Sequence, residues 1–239
     1  MRAVATVKDN LKPKALKNAA GFTLVWVTAK IAHRVRFTHS AHLPRSGPVL
    51  IVANHLSMSE ALAVARLTIG HRRFPHFLAM AEVFSWPVVG TLARWTGQIP
   101  VERGTAAAAG SLQAAAERLE LGQVVVLYPE GQLTKQPDLR PGPGRTGAAR
   151  LALAHPQVPV IPIGQWGPRP GNRHLWHRHT TRLVVGAPLD LSPWAGRADD
   201  PEAVRAATDL TMSTITALVE IARGEEFDEP TPVEPTGTQ

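Results

Sequence analysis

A chain of 239 residues, 44% hydrophobic and 19% charged, is long enough for one sizeable α/β core and too apolar to be a disordered chain. It contains no cysteine, which excludes a disulfide framework and a thiolate metal site. The formal charge is +7, and residues 225–239, with five acids and no base, leave +12 on the rest, a balance that attracts phosphates on nucleic acid, anionic lipid or small molecules.

Met1 to Lys14 is polar and basic and leads into Ala15 to Val35, whose apolar core, Ala19 to Ala29, is eleven residues long. That is too short to span a bilayer. Phe22 and Trp26 inside it, with Lys17, Lys30, His33, Arg34 and Arg36 around it, suit an amphipathic helix lying among lipid headgroups. A helix packed on the protein's own core is the alternative, and a signal peptide is disfavoured because no small-residue cleavage site precedes the next basic residues.

Beyond it, strand-like and helix-like runs alternate. Strands are expected at Val49 to Asn54, Phe77 to Ala81, Ile99 to Val101, Val124 to Tyr128, Val158 to Ile163 and Arg182 to Val185. Helices are expected at Glu60 to Leu67, Val88 to Trp95, Ser111 to Leu121, Thr146 to Ala154 and Asp200 to Arg223. The alternation predicts an α/β fold with a central, mostly parallel sheet flanked by helices. The domain reading is an amphipathic segment over 1–35, a core domain over 36–224, and an acidic, Pro-rich disordered tail over 225–239.

Active sites of such folds gather at the carboxyl ends of strands, and three motifs fall there. Asn54-His55 ends one strand, with Glu60 five residues after the imidazole. An imidazole titrates near neutral pH and suits proton abstraction from a hydroxyl, and a carboxylate can fix its tautomer. On one continuous helix the two side chains would lie about 140° apart, so contact needs a turn between them. Ser57 followed by Glu60 reads as a capping box that supplies this turn. The same residues admit a bland reading, in which Glu60 only satisfies the Ser57 amide and His55 is an ordinary strand-end histidine. Glu102-Arg103-Gly104 ends the second strand and Pro129-Glu130-Gly131 the third.

Together these motifs resemble the glycerolipid acyltransferase family over about Val49 to Leu191. Asn54, His55 and Glu60 resemble its Asn-His pair with an Asp five residues on; glutamate replaces aspartate, moving the carboxylate by about 1.5 Å. Gly97-Gln98-Ile99-Pro100-Val101-Glu102-Arg103 resembles its second signature. Tyr128-Pro129-Glu130-Gly131-Gln132-Leu133-Thr134 resembles its Phe-Pro-Glu-Gly-Thr segment, with Gln132 and Leu133 departing from the usual Thr and Arg. Arg145-Thr146-Gly147 resembles a later basic residue before a glycine. Val158 to Gly164 resembles the fourth, largely structural signature, expected to line an acyl groove.

The resemblance implies a glycerol-3-phosphate acyltransferase-like fold, with His55 and Glu60 as catalytic residues and Arg103, Glu130, Gly131 and Arg145 as substrate-binding ones. It implies an O-acyltransferase acting on 1-acyl-glycerol 3-phosphate to give phosphatidic acid, with glycerol 3-phosphate or a glycolipid as alternative acceptors. The donor is acyl-coenzyme A or acyl carrier protein, as substrate, and no bound cofactor or metal is expected. The partners are the two substrates and an anionic membrane, the location the cytoplasmic membrane face, and the attachment peripheral or monotopic. Direct transfer fits a chain with no Gly-x-Ser-x-Gly elbow and no cysteine nucleophile.

A non-catalytic lipid- or nucleic-acid-binding relative and a thioester hydrolase are the rivals. Nucleic acid is not expected as a partner, because one tyrosine and 5% aromatics offer little for base stacking. His174, His177 and His179 sit among Arg173, Arg178 and Arg182 without a carboxylate or thiol, the pattern of a basic loop rather than a metal site. Arg72 and Arg73, beside His71 and His76, also read as a basic loop, near the donor phosphate or the membrane.

Overall fold

The computed structural model describes residues 34–57, 60–102, 107–167 and 180–224. The segment before Arg34, Arg103, the 174–179 histidines and the acidic tail lie outside the described residues.

Seven strands form one sheet in the order β1-β7-β6-β2-β5-β3-β4. They are β1 (Arg34–Thr38), β2 (Val49–Ala53), β3 (Pro75–Met80), β4 (Ile99–Val101), β5 (Val124–Leu127), β6 (Val160–Trp166) and β7 (Thr180–Val185). All neighbouring pairs are parallel except β6 and β7. The mostly parallel sheet expected from the alternation is therefore present. One expectation changes: Arg34 and Val35 belong to strand β1, so the N-terminal helical reading does not extend to them, and the sheet begins before position 36. A five-residue run with three polar side chains gives little strand signal; its pairing with β7 decides it.

The helices are α1 (Glu60–Gly70), α2 (Val89–Trp95), α3 (Ala107–Glu120), α4 (Gly147–Ala154) and α5 (Pro201–Gly224). They cover both faces. Val49, Ile51 and Ala53 of β2 point to the side of Ala63, Val64 and Leu67 on α1, whereas Leu50 and Val52 point to Ala115 of α3, Leu151 of α4 and Ile215 of α5. Both sets are buried, which is why Val49–Ala53 reads as a continuous apolar run and not as an alternating one. At Gly164 an added Cβ would lie 2.3 Å from the Leu218 main chain, so α5 reaches β6 this closely only over a glycine.

Candidate active site

The carboxyl ends of β2 and β5 lie side by side, since Val52 pairs with Leu127. This puts Asn54-His55 beside Tyr128-Pro129-Glu130. On the other flank of β2, Gln165 is the penultimate residue of β6, and the two strand ends are locked by a reciprocal amide clamp. Asn54 Nδ2 donates to the Gln165 carbonyl at 2.9 Å, the Gln165 amide donates to Asn54 Oδ1 at 2.7 Å, and Gln165 Nε2 donates to the Asn54 carbonyl at 2.9 Å. Both residues are fully buried, where unmatched amides would be costly.

Glu130 braces the same position from the β5 side. Its Oε1 accepts from the His55 main-chain N–H at 2.9 Å, and its Oε2 accepts from Thr134 Oγ1 at 2.7 Å and the Gly142 N–H at 2.9 Å. The Thr134 N–H in turn donates to the His55 carbonyl at 2.7 Å. The backbone of His55 is thus held on both its N–H and its C=O by the loop after β5. The imidazole stacks on Tyr128, with centroids 4.2 Å apart and planes 14° apart.

Glu60 opens α1, and its Oε2 accepts from the N–H groups of Leu56 at 2.7 Å and Ser57 at 2.9 Å. This is the capping interaction expected from the Ser57–Glu60 spacing, and it folds the chain after His55 into the turn the spacing required. Glu60 Oε1 is buried and accepts no hydrogen bond among the described residues. Burial pushes the Glu60 carboxyl up to about 8; the Ser57 and Leu56 amides oppose the rise and the Glu130 charge adds to it.

His55 faces a cavity of about 810 Å³, within the range of small-molecule sites. One wall is apolar, with Leu62 of α1, Phe77 of β3 and Leu92 of α2 among its residues. Gly131 and Arg145 line it near His55. Gly131 has φ +65°, and a Cβ there would lie 2.7 Å from Arg145 Cδ and Nε. Glycine is needed both for the left-handed backbone and for the guanidinium side chain that lies over it. The Arg145 N–H donates to the Pro129 carbonyl at 2.8 Å, fixing that side chain's root to the end of β5.

Of the residues singled out from sequence, His55, Gly131 and Arg145 line the cavity. Glu60 and Glu130 stand behind its wall, each holding main-chain amides around His55. Arg103 lies outside the described residues, directly after Glu102. Gln165 is absent from the sequence motifs, and Tyr128 and Thr134 stand in one of them without a role of their own. Their partners are 111, 73 and 79 residues away from them in the chain, and no local pattern shows such pairings.

Two further expectations change. The residues of β6 do not line this cavity; its apolar wall comes from α1, β3 and α2 instead, because β6 lies deep in the sheet and is buried along most of its length. Arg73 is buried, its guanidinium donating to the carbonyls of Pro44, Gly47 and Gly122. Gly47 and Gly122 precede β2 and β5, so Arg73 ties loops at the sheet edge opposite His55. Among the described residues no helix is long and apolar enough to cross a membrane, and no group of His, Asp and Glu has the makings of a metal site.

Two known proteins of the same type share part of the sequence. The chain is 36% identical over 124 residues to the lyso-ornithine lipid O-acyltransferase of Pseudomonas aeruginosa, a stretch covering 51% of this chain and 45% of that protein. It is 36% identical over 90 residues to the Rhizobium meliloti lyso-ornithine lipid O-acyltransferase, covering 37% and 29%. The chain thus spans less than half the length of either relative. The crystal structure of the 1-acyl-sn-glycerophosphate acyltransferase from Thermotoga maritima superposes with a TM-score of 0.63 over 94% of this chain and 85% of that one, at 20% identity; that likeness shows the fold alone. Residues 34–166, more than half the chain and every strand from β1 to β6, match the acyltransferase family model, and the chain belongs to the acyltransferase family.

Proposed function

We propose that the protein transfers a fatty acyl group from a thioester to a hydroxyl of a lysolipid. The observation that carries this is the position of His55, held by its main chain at the end of β2 with its ring against a cavity that is apolar along one wall. His55 takes the proton from the acceptor hydroxyl as that oxygen attacks the thioester carbonyl. When the tetrahedral intermediate collapses, the C–S bond breaks and the imidazolium returns the proton to the departing thiolate. Glu60 supports the imidazole through the turn it caps, its Oε2 holding the Leu56 and Ser57 amides. Arg103 and Arg145 hold the acceptor's anionic head, Glu130 and Gly131 shape the loop that presents Arg145, and the acyl chain lies along the apolar wall. The acceptor placed first is 1-acyl-glycerol 3-phosphate, and the enzyme acts at the cytoplasmic membrane face. Lyso-ornithine lipid is the second reading, favoured by the names of the two relatives.

The test is acyl transfer from a radiolabelled long-chain thioester to 1-acyl-glycerol 3-phosphate, glycerol 3-phosphate, lyso-ornithine lipid and a glycolipid. The expected result is transfer to a lysolipid, reduced about a hundredfold to ten-thousandfold in His55→Ala. Thiol release at one rate with or without acceptor would make the protein a hydrolase and overturn the proposal.

A further inference from the structure

The charged side chains that line the cavity are all arginines: Arg145, Arg150 and Arg205. No carboxylate is among its described lining residues. The three come from different places in the fold. Arg145 precedes α4, Arg150 follows one turn later on that helix, its N–H donating to the Thr146 carbonyl at 2.9 Å, and Arg205 stands near the start of α5. The pieces are packed together. A Cβ on Gly144 would lie 2.5 Å from Met212 Cγ and 3.0 Å from Thr208 Cγ2 of α5, so the loop carrying Arg145 lies directly against the helix carrying Arg205.

None of the three arginines forms an ion pair among the described residues, whose salt bridges are Arg140 with Asp138 and Glu220, Arg197 with Asp200, and Arg223 with Glu220. Arg150 Nη1 donates to the Ala198 carbonyl at 2.9 Å; that bond fixes the side chain without neutralising it. Three like charges lining one cavity favour an anion between them. Guanidinium forks match phosphate oxygens better than any other side chain does.

We propose that Arg145, Arg150 and Arg205 form one oxyanion-binding wall, which takes the phosphate of an amphiphilic substrate whose chain runs along the opposite, apolar wall. Arg150 and Arg205 thereby enlarge the anion site well beyond Arg145. The inference rests on the acyl-transfer reading for its choice of ligands. The phosphate belongs either to the acceptor or to the donor, and paired probes that differ in their phosphates tell them apart.

The experiment is calorimetric binding to the full chain, independent of turnover. One pair is 1-decanoyl-glycerol 3-phosphate and 1-decanoyl-glycerol; the other is decanoyl-coenzyme A and decanoyl-N-acetylcysteamine. Wild-type protein should prefer the phosphate-bearing member of at least one pair by about tenfold or more, and the pair that shows it identifies the source. In Arg150→Gln/Arg205→Gln that preference should shrink to about threefold or less, while Arg150→Lys, which keeps the charge, should retain most of it. Arg205→Gln alone, at an exposed position, should lower the preference measurably, and it keeps the test open if the double variant does not fold. A preference unchanged in Arg205→Gln and in the double variant, or no preference in wild-type protein for either pair, would overturn the proposal. Wild-type protein that binds as expected but transfers no acyl group would refute the transfer reading and leave the anion wall standing.

Discussion

The His55 imidazole and the Tyr128 ring lie nearly parallel, 4.2 Å between centroids, and Tyr128 is itself stacked with Phe77 at 6.4 Å. The stack reaches from the end of β2 across β5 to β3. Glu130 accepts from the His55 N–H and Thr134 donates to the His55 carbonyl, which fixes its backbone, and Tyr128 supports the face of its ring. A base that must meet a hydroxyl within hydrogen-bond reach depends on the plane of its ring.

Tyr128→Phe keeps the stacked face and should retain acyl transfer within about threefold of wild type. Tyr128→Leu removes a contact worth about 0.5–1.5 kcal/mol beyond its buried area and takes the aromatic support from one face of the imidazole. It should lower kcat about tenfold or more with a smaller effect on KM. Equal kcat in the two variants, measured side by side, would show that the ring plane does not matter.

Glu130 holds three donors with its two oxygens. In Glu130→Gln one oxygen becomes an NH₂ group, which must face either the His55 N–H or the pair formed by Thr134 Oγ1 and the Gly142 N–H. A donor against a donor inside the protein costs about 1–3 kcal/mol. The variant should lose that much in denaturant unfolding, and its activity should fall because the main chain of His55 is released. Wild-type stability in Glu130→Gln would mean that the brace contributes nothing.

Gly131→Ala tests the support of Arg145. The backbone conformation at φ +65° costs a residue with a Cβ about 1–2 kcal/mol, and the new methyl must displace Arg145 Cδ and Nε. Its KM for the phosphate-bearing substrate should rise as it does in Arg145→Ala. A stability loss with an unaltered KM would separate Gly131 from the arginine.

The helices and the inner strands were legible from sequence because their patterns are local. The run Val124–Leu127 is buried on both faces, and the 3.6-residue period of α5 extends over 24 residues. Strand β1 was not legible, because its residues become a strand only through pairing with β7, some 146 positions later. The site divides the same way. The His55 and Glu60 spacing and the Pro-Glu-Gly turn are readable in the chain. Whether a carboxylate turns toward a ligand or toward main-chain amides depends on which strand ends become neighbours, and Glu130 and Glu60 both turn to amides. Gln165 belongs to no motif, and the motif that holds Tyr128 gives it no partner; only the order β6-β2-β5 makes them neighbours of Asn54 and His55.

Glu60 gives the last prediction its sign. Its folded pKa of about 8 exceeds the ordinary value of 4.5, so between these limits the native state keeps a proton that the unfolded chain has released. The stability it supports is fully present below about pH 4.5 and falls as pH rises, by up to about 1.4 kcal/mol per pH unit, until it levels off above about 8. Glu60→Gln is neutral throughout, and its amide oxygen can still accept from Leu56 and Ser57. Denaturant unfolding from pH 5 to 9 should therefore show wild-type stability declining relative to Glu60→Gln across that window; a constant difference would refute the raised pKa. Activity separates the remaining roles. If the carboxylate supports the imidazolium, Glu60→Gln stays folded and loses about tenfold or more in kcat, whereas Glu60→Asp, with the acid retained, keeps more of it. Equal activity in wild type and Glu60→Gln would leave Glu60 as a helix cap alone.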